Sequence, residues 1–186
     1  MTGVETAIRD PLPTVEEILL RYRQDLGRDF EAYRNHVYRV WHYCMAFRGP
    51  DRAEGDEEKV AVAGCFHDLG IWTHGTFDYL DPSAEMARKY LEEKGKPEDF
   101  HDVGRMVHFH HKITRYREAD GALVEAFRKA DWLDVSLGKR RFGLDRGRIR
   151  PIYRAFPSLG FYGRLTELTL RRLRTAPLRP LPMFKW

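Results

Sequence analysis

An all-α fold is what the sequence predicts, and three observations carry that prediction. Apolar residues recur at steps of three and four, as in Tyr33, Val37, Val40, Cys44 and Phe47, which is the spacing of one face of a helix. No stretch alternates apolar and polar residues convincingly as a half-buried strand would. Between the periodic windows stand glycine, proline and short polar clusters, the residues that end helices and make turns. With 186 residues, 42% of them apolar, the chain is expected to form a single globular domain over 1–186 rather than a disordered segment.

Residues 1–13 are expected to form a loose arm. Thr14-Val-Glu-Glu17 reads as a capping box opening a helix through about Leu26, which Gly27 closes. Asp29 opens a helix over Phe30 to Phe47, and a turn-rich connection leads to Asp56, the expected cap of a helix that ends at His67-Asp68-Leu69-Gly70. Residues 71–81 are expected to be non-helical, with Trp72, Phe77 and Tyr79 either sealing the core or lining a pocket. Asp81-Pro82 then starts a helix through Lys94 that Gly95 ends, Pro97 starts the next through His111, and Asp120 or Gly121 starts the one over Ala122 to Leu137. Helices are expected from Arg146 to Phe156 and from Tyr162 to Arg174, the second packing through Leu165, Leu168, Thr169 and Leu173. The organisation is thus a helical core over 14–138, C-terminal helices over 146–174 and an irregular, proline-containing tail over 175–186.

Four of these helices carry ionisable side chains where the apolar stripe calls for hydrophobic ones. His67 follows Val60, Ala63 and Gly64 at helical spacing, and Asp68 follows the equally apolar row of Ala61, Gly64 and Cys65. His36 sits in the middle of its stripe, between Tyr33 and Val40, and Asp131 continues the row of Val124 and Phe127 toward Val135. His110 shares a face with Val103, Met106 and Val107, whereas His101 and His108 fall on the opposite face and His111 at the edge. A carboxylate facing a core is costly unless it is paired, protonated or bound to a cation. A lone His-Asp pair more often caps a helix and reaches solvent. Several inward histidines and two inward aspartates on separate helices are best reconciled by one shared divalent metal ion.

In order along the chain, Asn35-His36-Val37-Tyr38-Arg39-Val40, Cys65-Phe66-His67-Asp68-Leu69-Gly70 and Lys129-Ala130-Asp131-Trp132-Leu133-Asp134 resemble the HD-domain superfamily of metal-dependent phosphohydrolases, over about residues 30–138. The resemblance implies an HD-domain-like helical bundle with His36, His67, Asp68 and Asp131 as metal ligands. It implies an enzyme that hydrolyses a small phosphomonoester or nucleotide through a metal-activated water. A nitrogen and oxygen donor set without cysteine suits Mn, Co, Ni, Fe, Mg or Zn. Asp68 and His110 are the expected catalytic residues, and Arg39, His74, Asp78 and Lys112 the expected substrate-binding ones, Arg39 and Lys112 because an anionic substrate needs donors. Asp134, one turn after Asp131, either orients a ligand from behind or ends in water. Some relatives hold two metals through extra histidines, among them di-iron oxygenases and enzymes acting on non-phosphate substrates. Here the segment after Asp81 reads Pro-Ser-Ala-Glu-Met-Ala, which argues against a full second site, although His110 with His74 or His111 leaves a second ion open.

The formal charge is only +4, yet basic residues from Lys139-Arg140-Arg141 to Arg179 crowd the last quarter. Glycine, proline and apolar residues interrupt that run and no nucleic-acid motif accompanies it, so it reads as a solvated face and nucleic acid is disfavoured as a partner. A non-enzymatic basic helical module is the third reading, one that predicts no bound metal and salt-sensitive binding. Cys44 and Cys65 fall among apolar neighbours, as free thiols do. With no apolar run of membrane-spanning length and no signal-peptide pattern, a soluble cytoplasmic protein with a small anionic substrate and no membrane partner is expected. The sequence leaves the oligomeric state open.

Overall fold

Pro13, which has no backbone N–H to leave unsatisfied, begins helix α1 (Pro13–Arg21) in the computed structural model, whose described residues are 7–76 and 78–175. The expected capping box does not form, because the Thr14 hydroxyl donates instead to Glu58 Oε2 at 2.9 Å. The helix breaks at Tyr22, resumes for the single turn α2 (Arg23–Leu26), and passes Gly27, with φ of +50°, into a short 3-10 turn. Residues 7–12 of the expected loose arm are tied down: the Arg9 N–H donates to His42 Nε2 at 3.0 Å and the Leu12 N–H to the Tyr38 hydroxyl at 2.9 Å.

The long helix α3 (Phe30–Arg48) follows, then α4 (Asp56–Phe66), whose N-cap is Gly55 at φ +85°. Asp56 is not the cap; its carboxylate accepts from the Ala53 N–H and from Arg48. Where no helix was expected, Gly70–Thr73 forms the single turn α5, and α6 (Leu80–Glu93) starts ahead of Asp81-Pro82. Phe77 lies outside the described residues, whereas Tyr79 is buried. A 3-10 turn at Pro97–Asp99 leads into α7 (Phe100–Phe109), so that His110 caps this helix rather than lying inside it. Beyond it stand α8 (Ala122–Val135), α9 (Arg146–Ala155) and α10 (Phe161–Thr175). Helix α8 stops before Leu137, which has φ of +55°, and Asp145 caps α9 by accepting from the Gly147 N–H at 2.6 Å.

The architecture is an all-α bundle, with no strand among the described residues. Helix α3 is its axis, packed most extensively along α8 and also against α4 and α9. It is buried on every side from Asn35 to Met45, including His36, Arg39 and His42. One apolar cluster runs from Leu12 through Val124 and Phe127 to Phe161. Helix α10 reaches that core through Phe161 and Leu165, but Leu173, expected on its packing side, is 40% exposed. Cys44 and Cys65 are buried free thiols. No helix among the described residues is long and apolar enough to cross a membrane, and the tail from 176 lies outside those residues.

Two glycines make opposite demands on packing. At Gly70 a Cβ would stand 2.8 Å from the Tyr79 carbonyl oxygen and 2.9 Å from Ser83 Oγ, which also accepts the Gly70 N–H at 3.0 Å. Gly70→Ala is expected to cost on the order of 1–3 kcal/mol as overpacking, at about 2–4 °C of thermal midpoint per kcal/mol in a domain of this size. Gly163→Ala, with open space around its Cβ in α10, is expected to leave the midpoint unchanged or raise it slightly. Scanning calorimetry of both variants tests the pair, and an equal response would refute the packing argument.

Candidate metal centre

Five helix positions converge in the interior. His36 comes from the middle of α3, His67 from the C-cap of α4 with Asp68 beside it, His110 from the C-cap of α7, and Asp131 from α8; all are buried. The two histidines at helix ends are aimed by the backbone. His67 Nδ1 lies 2.8 Å from the Gly64 carbonyl oxygen and His110 Nδ1 2.7 Å from that of Val107. A carbonyl can only accept, so each Nδ1 carries the proton and each Nε2 presents a lone pair. His36 is set the same way by a side chain, its Nδ1 donating to Asp134 Oδ2 at 2.7 Å.

These fixed tautomers bring bare nitrogen lone pairs face to face. His36 Nε2 and His67 Nε2 face each other at 3.0 Å with no proton between them. Asp68 Oδ2 stands 3.4 Å from His67 Nε2, and Asp131 Oδ1 stands 3.7 Å from both Nε2 atoms. Among the described residues neither Asp131 oxygen nor Asp68 Oδ1 has a hydrogen-bond partner, although all three are buried. Orphaned buried carboxylate oxygens are rare because each forfeits its hydration without return. Nitrogen and oxygen lone pairs of this kind could hold a divalent cation; His36, His67 and Asp68 form the tight group, and Asp131 stands beside the two histidines.

The carboxylates also face the other way. Asp68 Oδ1 is 3.3 Å from His110 Nε2, and Asp131 Oδ2 is 3.6 Å from His111 Nδ1. Asp68, His110 and His111 thus form a second group of metal-competent atoms that shares Asp68 with the first. The Tyr79 hydroxyl lies 2.9 Å from His111 Nε2 and 3.5 Å from His110 Nε2. His111 is the one histidine of this cluster whose side chain keeps some exposure, at 13%. Burial, with His110 and His36 close by, pushes the His67 imidazole down to about 3, and burial beside Asp68 and Asp134 pushes the Asp131 carboxyl well above its ordinary value. Both shifts disfavour the charged forms of His67 and Asp131 in this buried cluster.

Behind His36 the charge is balanced differently. Arg39 was expected to meet substrate, but it is fully buried; its Nε and Nη2 donate to Asp134 at 2.6 and 2.9 Å, and its Nη1 to the Phe156 carbonyl oxygen at 2.9 Å. Burial pushes Asp134 up, yet Arg39 and the His36 N–H outweigh it and hold the carboxyl below its ordinary range. The Tyr162 hydroxyl donates to Asp134 Oδ1 at 3.2 Å, and the Phe161 ring stacks on His36 with centroids 4.2 Å apart. Asp134 therefore does not end in water; it fixes the ring of His36 from behind. Nothing in the sequence pattern linked Phe161 or Tyr162 to the centre, because α10 is distant in the chain. Of the other expected substrate residues, His74 is exposed with Nδ1 2.8 Å from Thr73 Oγ1, Asp78 is exposed, and Lys112 is partly buried with its carbonyl accepting from Arg128 and Trp132. His101 is exposed and His108 points to Asp81, as the helical wheel predicted.

A family model, the HD domain, matches residues 33–136, which run from α3 through α8 and include every member of the cluster. Neither a curated protein nor a solved structure matches the chain significantly.

The centre generates two expectations. Elemental analysis should find most bound metal lost in each of His36→Ala, His67→Ala, Asp68→Ala and Asp131→Ala, and retained in His101→Ala; full metal content in two or more of the first four would refute the donor set. The second concerns acid. A base held at about 3 in the fold against an ordinary 6.5 takes up its proton on unfolding between those values. His67 therefore lowers the stability of metal-stripped protein as pH falls from about 6.5 toward 3. Denaturant midpoints measured across that range should fall on acidification, and by less in His67→Gln.

Proposed function

The chain belongs to the HD-domain family, and on that premise we propose that it is a metal-dependent phosphohydrolase acting on a small phosphomonoester or nucleotide. The carrying observation is the convergence of the bare Nε2 atoms of His36 and His67 with oxygens of Asp68 and Asp131, which would hold the ion. A divalent ion held there supplies Lewis-acid polarisation of a phosphoryl oxygen and acidifies a water. His110 Nε2 takes the proton of the attacking water and passes it to the departing alcohol oxygen, while Asp68 Oδ1, 3.3 Å away, stabilises the imidazolium. The Tyr79 hydroxyl, between His110 and His111, orients a substrate oxygen. Substrate approaches by the His111 edge, since the side chains of His36, His67, His110 and Asp131 are sealed from solvent. With Arg39 committed to Asp134, Lys112 beside His111 is the proposed substrate cation, and His74 and Asp78 serve as outer binding residues.

The group of Asp68, His110 and His111 favours a second reading, in which it would hold a second ion, Asp68 being common to both groups of donors. A dinuclear hydrolase or a di-iron oxygenase would use that arrangement. Metal stoichiometry separates the two: one ion per chain for the first reading, two for the second.

A metal-supplemented screen of phosphomonoesters and nucleotides is expected to show phosphate release that is abolished by chelator and by Asp68→Asn. His110→Ala should lower the rate by about 10²–10⁴-fold, the usual loss on removing a general acid–base. Release that survives Asp68→Asn would place the chemistry elsewhere. No release across the panel, with two irons per chain and oxygen consumption, would establish the oxygenase reading instead.

A further inference from the structure

A cavity of about 400 Å³ opens where α9 and α10 meet α3 and α8. Its walls include the rings of Tyr43, Tyr153 and Tyr162, its rim carries Arg150 and Arg154, and Asp134 reaches it from the metal centre. Three features define what would fit. Tyr153, 38% exposed, packs against Arg39 and leaves part of its surface in the cavity wall for contact with a flat ring. Arg150 and Arg154, one helical turn apart and exposed, have no ion pair among the described residues. Asp134, the one carboxylate in the lining, is already neutralised by Arg39 and His36, so the cavity favours an anion. The volume lies in the range of small-molecule sites, about 300–1,000 Å³. Apart from Asp134, the metal-centre cluster does not line it, and its α9 and α10 walls lie outside the HD-domain match.

We propose that this cavity is an effector site for a small aromatic anion, coupled to the metal centre through Tyr162, Asp134 and His36. Tyr162 donates to Asp134 Oδ1 while Asp134 Oδ2 accepts from His36 Nδ1. A ligand that draws the Tyr162 hydroxyl away leaves Asp134 a stronger acceptor for His36, which makes His36 Nε2 a better metal donor. Effector and metal then tighten each other's binding, as linkage requires.

The test uses the full chain and no activity readout, so it stands or falls apart from the hydrolase reading. Metal-stripped protein titrated with 8-anilinonaphthalene-1-sulfonate should give saturable fluorescence, weakened at least about tenfold in Arg150→Ala/Arg154→Ala by loss of both guanidinium partners. Tyr153→Ala should weaken it as well, and His110→Ala should not. Binding indifferent to both cavity variants, or lost in His110→Ala, overturns the site. Displacement by adenosine monophosphate or by benzoate supports the site and points to a nucleotide or an aryl carboxylate, and displacement by neither overturns the ligand class. Mn²⁺ affinity, followed by electron paramagnetic resonance, should rise about fivefold or more with the probe bound. Tyr162→Phe should keep probe binding and abolish that rise. An unchanged Mn²⁺ affinity in the wild type overturns the coupling.

Discussion

Two imidazole lone pairs 3.0 Å apart in a water-excluded interior repel unless a cation lies between them, and much of this bundle is arranged around that constraint. The helix ends of α4 and α7 stop where their last carbonyls can hold His67 and His110 by Nδ1. Helix α3 passes through the centre because His36 must meet both α4 and α8. Asp68 and Asp131 face these nitrogens, and Asp68 Oδ1 and both Asp131 oxygens are buried without a hydrogen-bond partner among the described residues. Buried groups of this kind cost stability unless they are paired, protonated or bound to a cation, so a cation held here would stabilise the fold as well.

A chain of buried charge stands behind this cluster. Arg39 grips Asp134 with two parallel hydrogen bonds, Asp134 fixes His36, and the carbonyl of Phe156 takes the remaining Arg39 donor. Charge-assisted bidentate pairs combine strength with directional control, which explains an arginine at a fully buried site. The stretch around Phe156, Phe161 and Tyr162 thereby reaches the centre from outside the residues that the HD-domain family model matches. Those C-terminal helices are tied to the geometry of His36 as well as to the core.

The buried ionisable cluster was legible because burial is costly for ionisable groups. His36, His67, Asp68, Asp131 and His110 each occupy an apolar register, and a sequence does not place charges there without a reason that the wheel reveals. Arg39 was read from the sequence as a donor for an anionic substrate, because the partner that buries it, Asp134, lies 95 positions away and no local spacing links the two. Caps and boundaries were less legible. Thr14 and Asp56 are good local caps whose oxygens find stronger use across the bundle, with Glu58 and Arg48, and tertiary hydrogen bonds outcompete local ones at such positions.

By itself the sequence determined the helical class, most of the inward faces and several ionisable residues buried at the centre, because spacing along a helix and the cost of burying charge are local properties of the chain. Tertiary structure alone decided which nitrogen of each histidine faces inward, that Asp68 and Asp131 each turn their two oxygens toward two groups of histidines, and that Arg39 serves Asp134 instead of a substrate. Those outcomes depend on which carbonyls, carboxylates and rings from distant helices come within about 3 Å of one another, the reach of a hydrogen bond. Linear spacing does not encode that proximity.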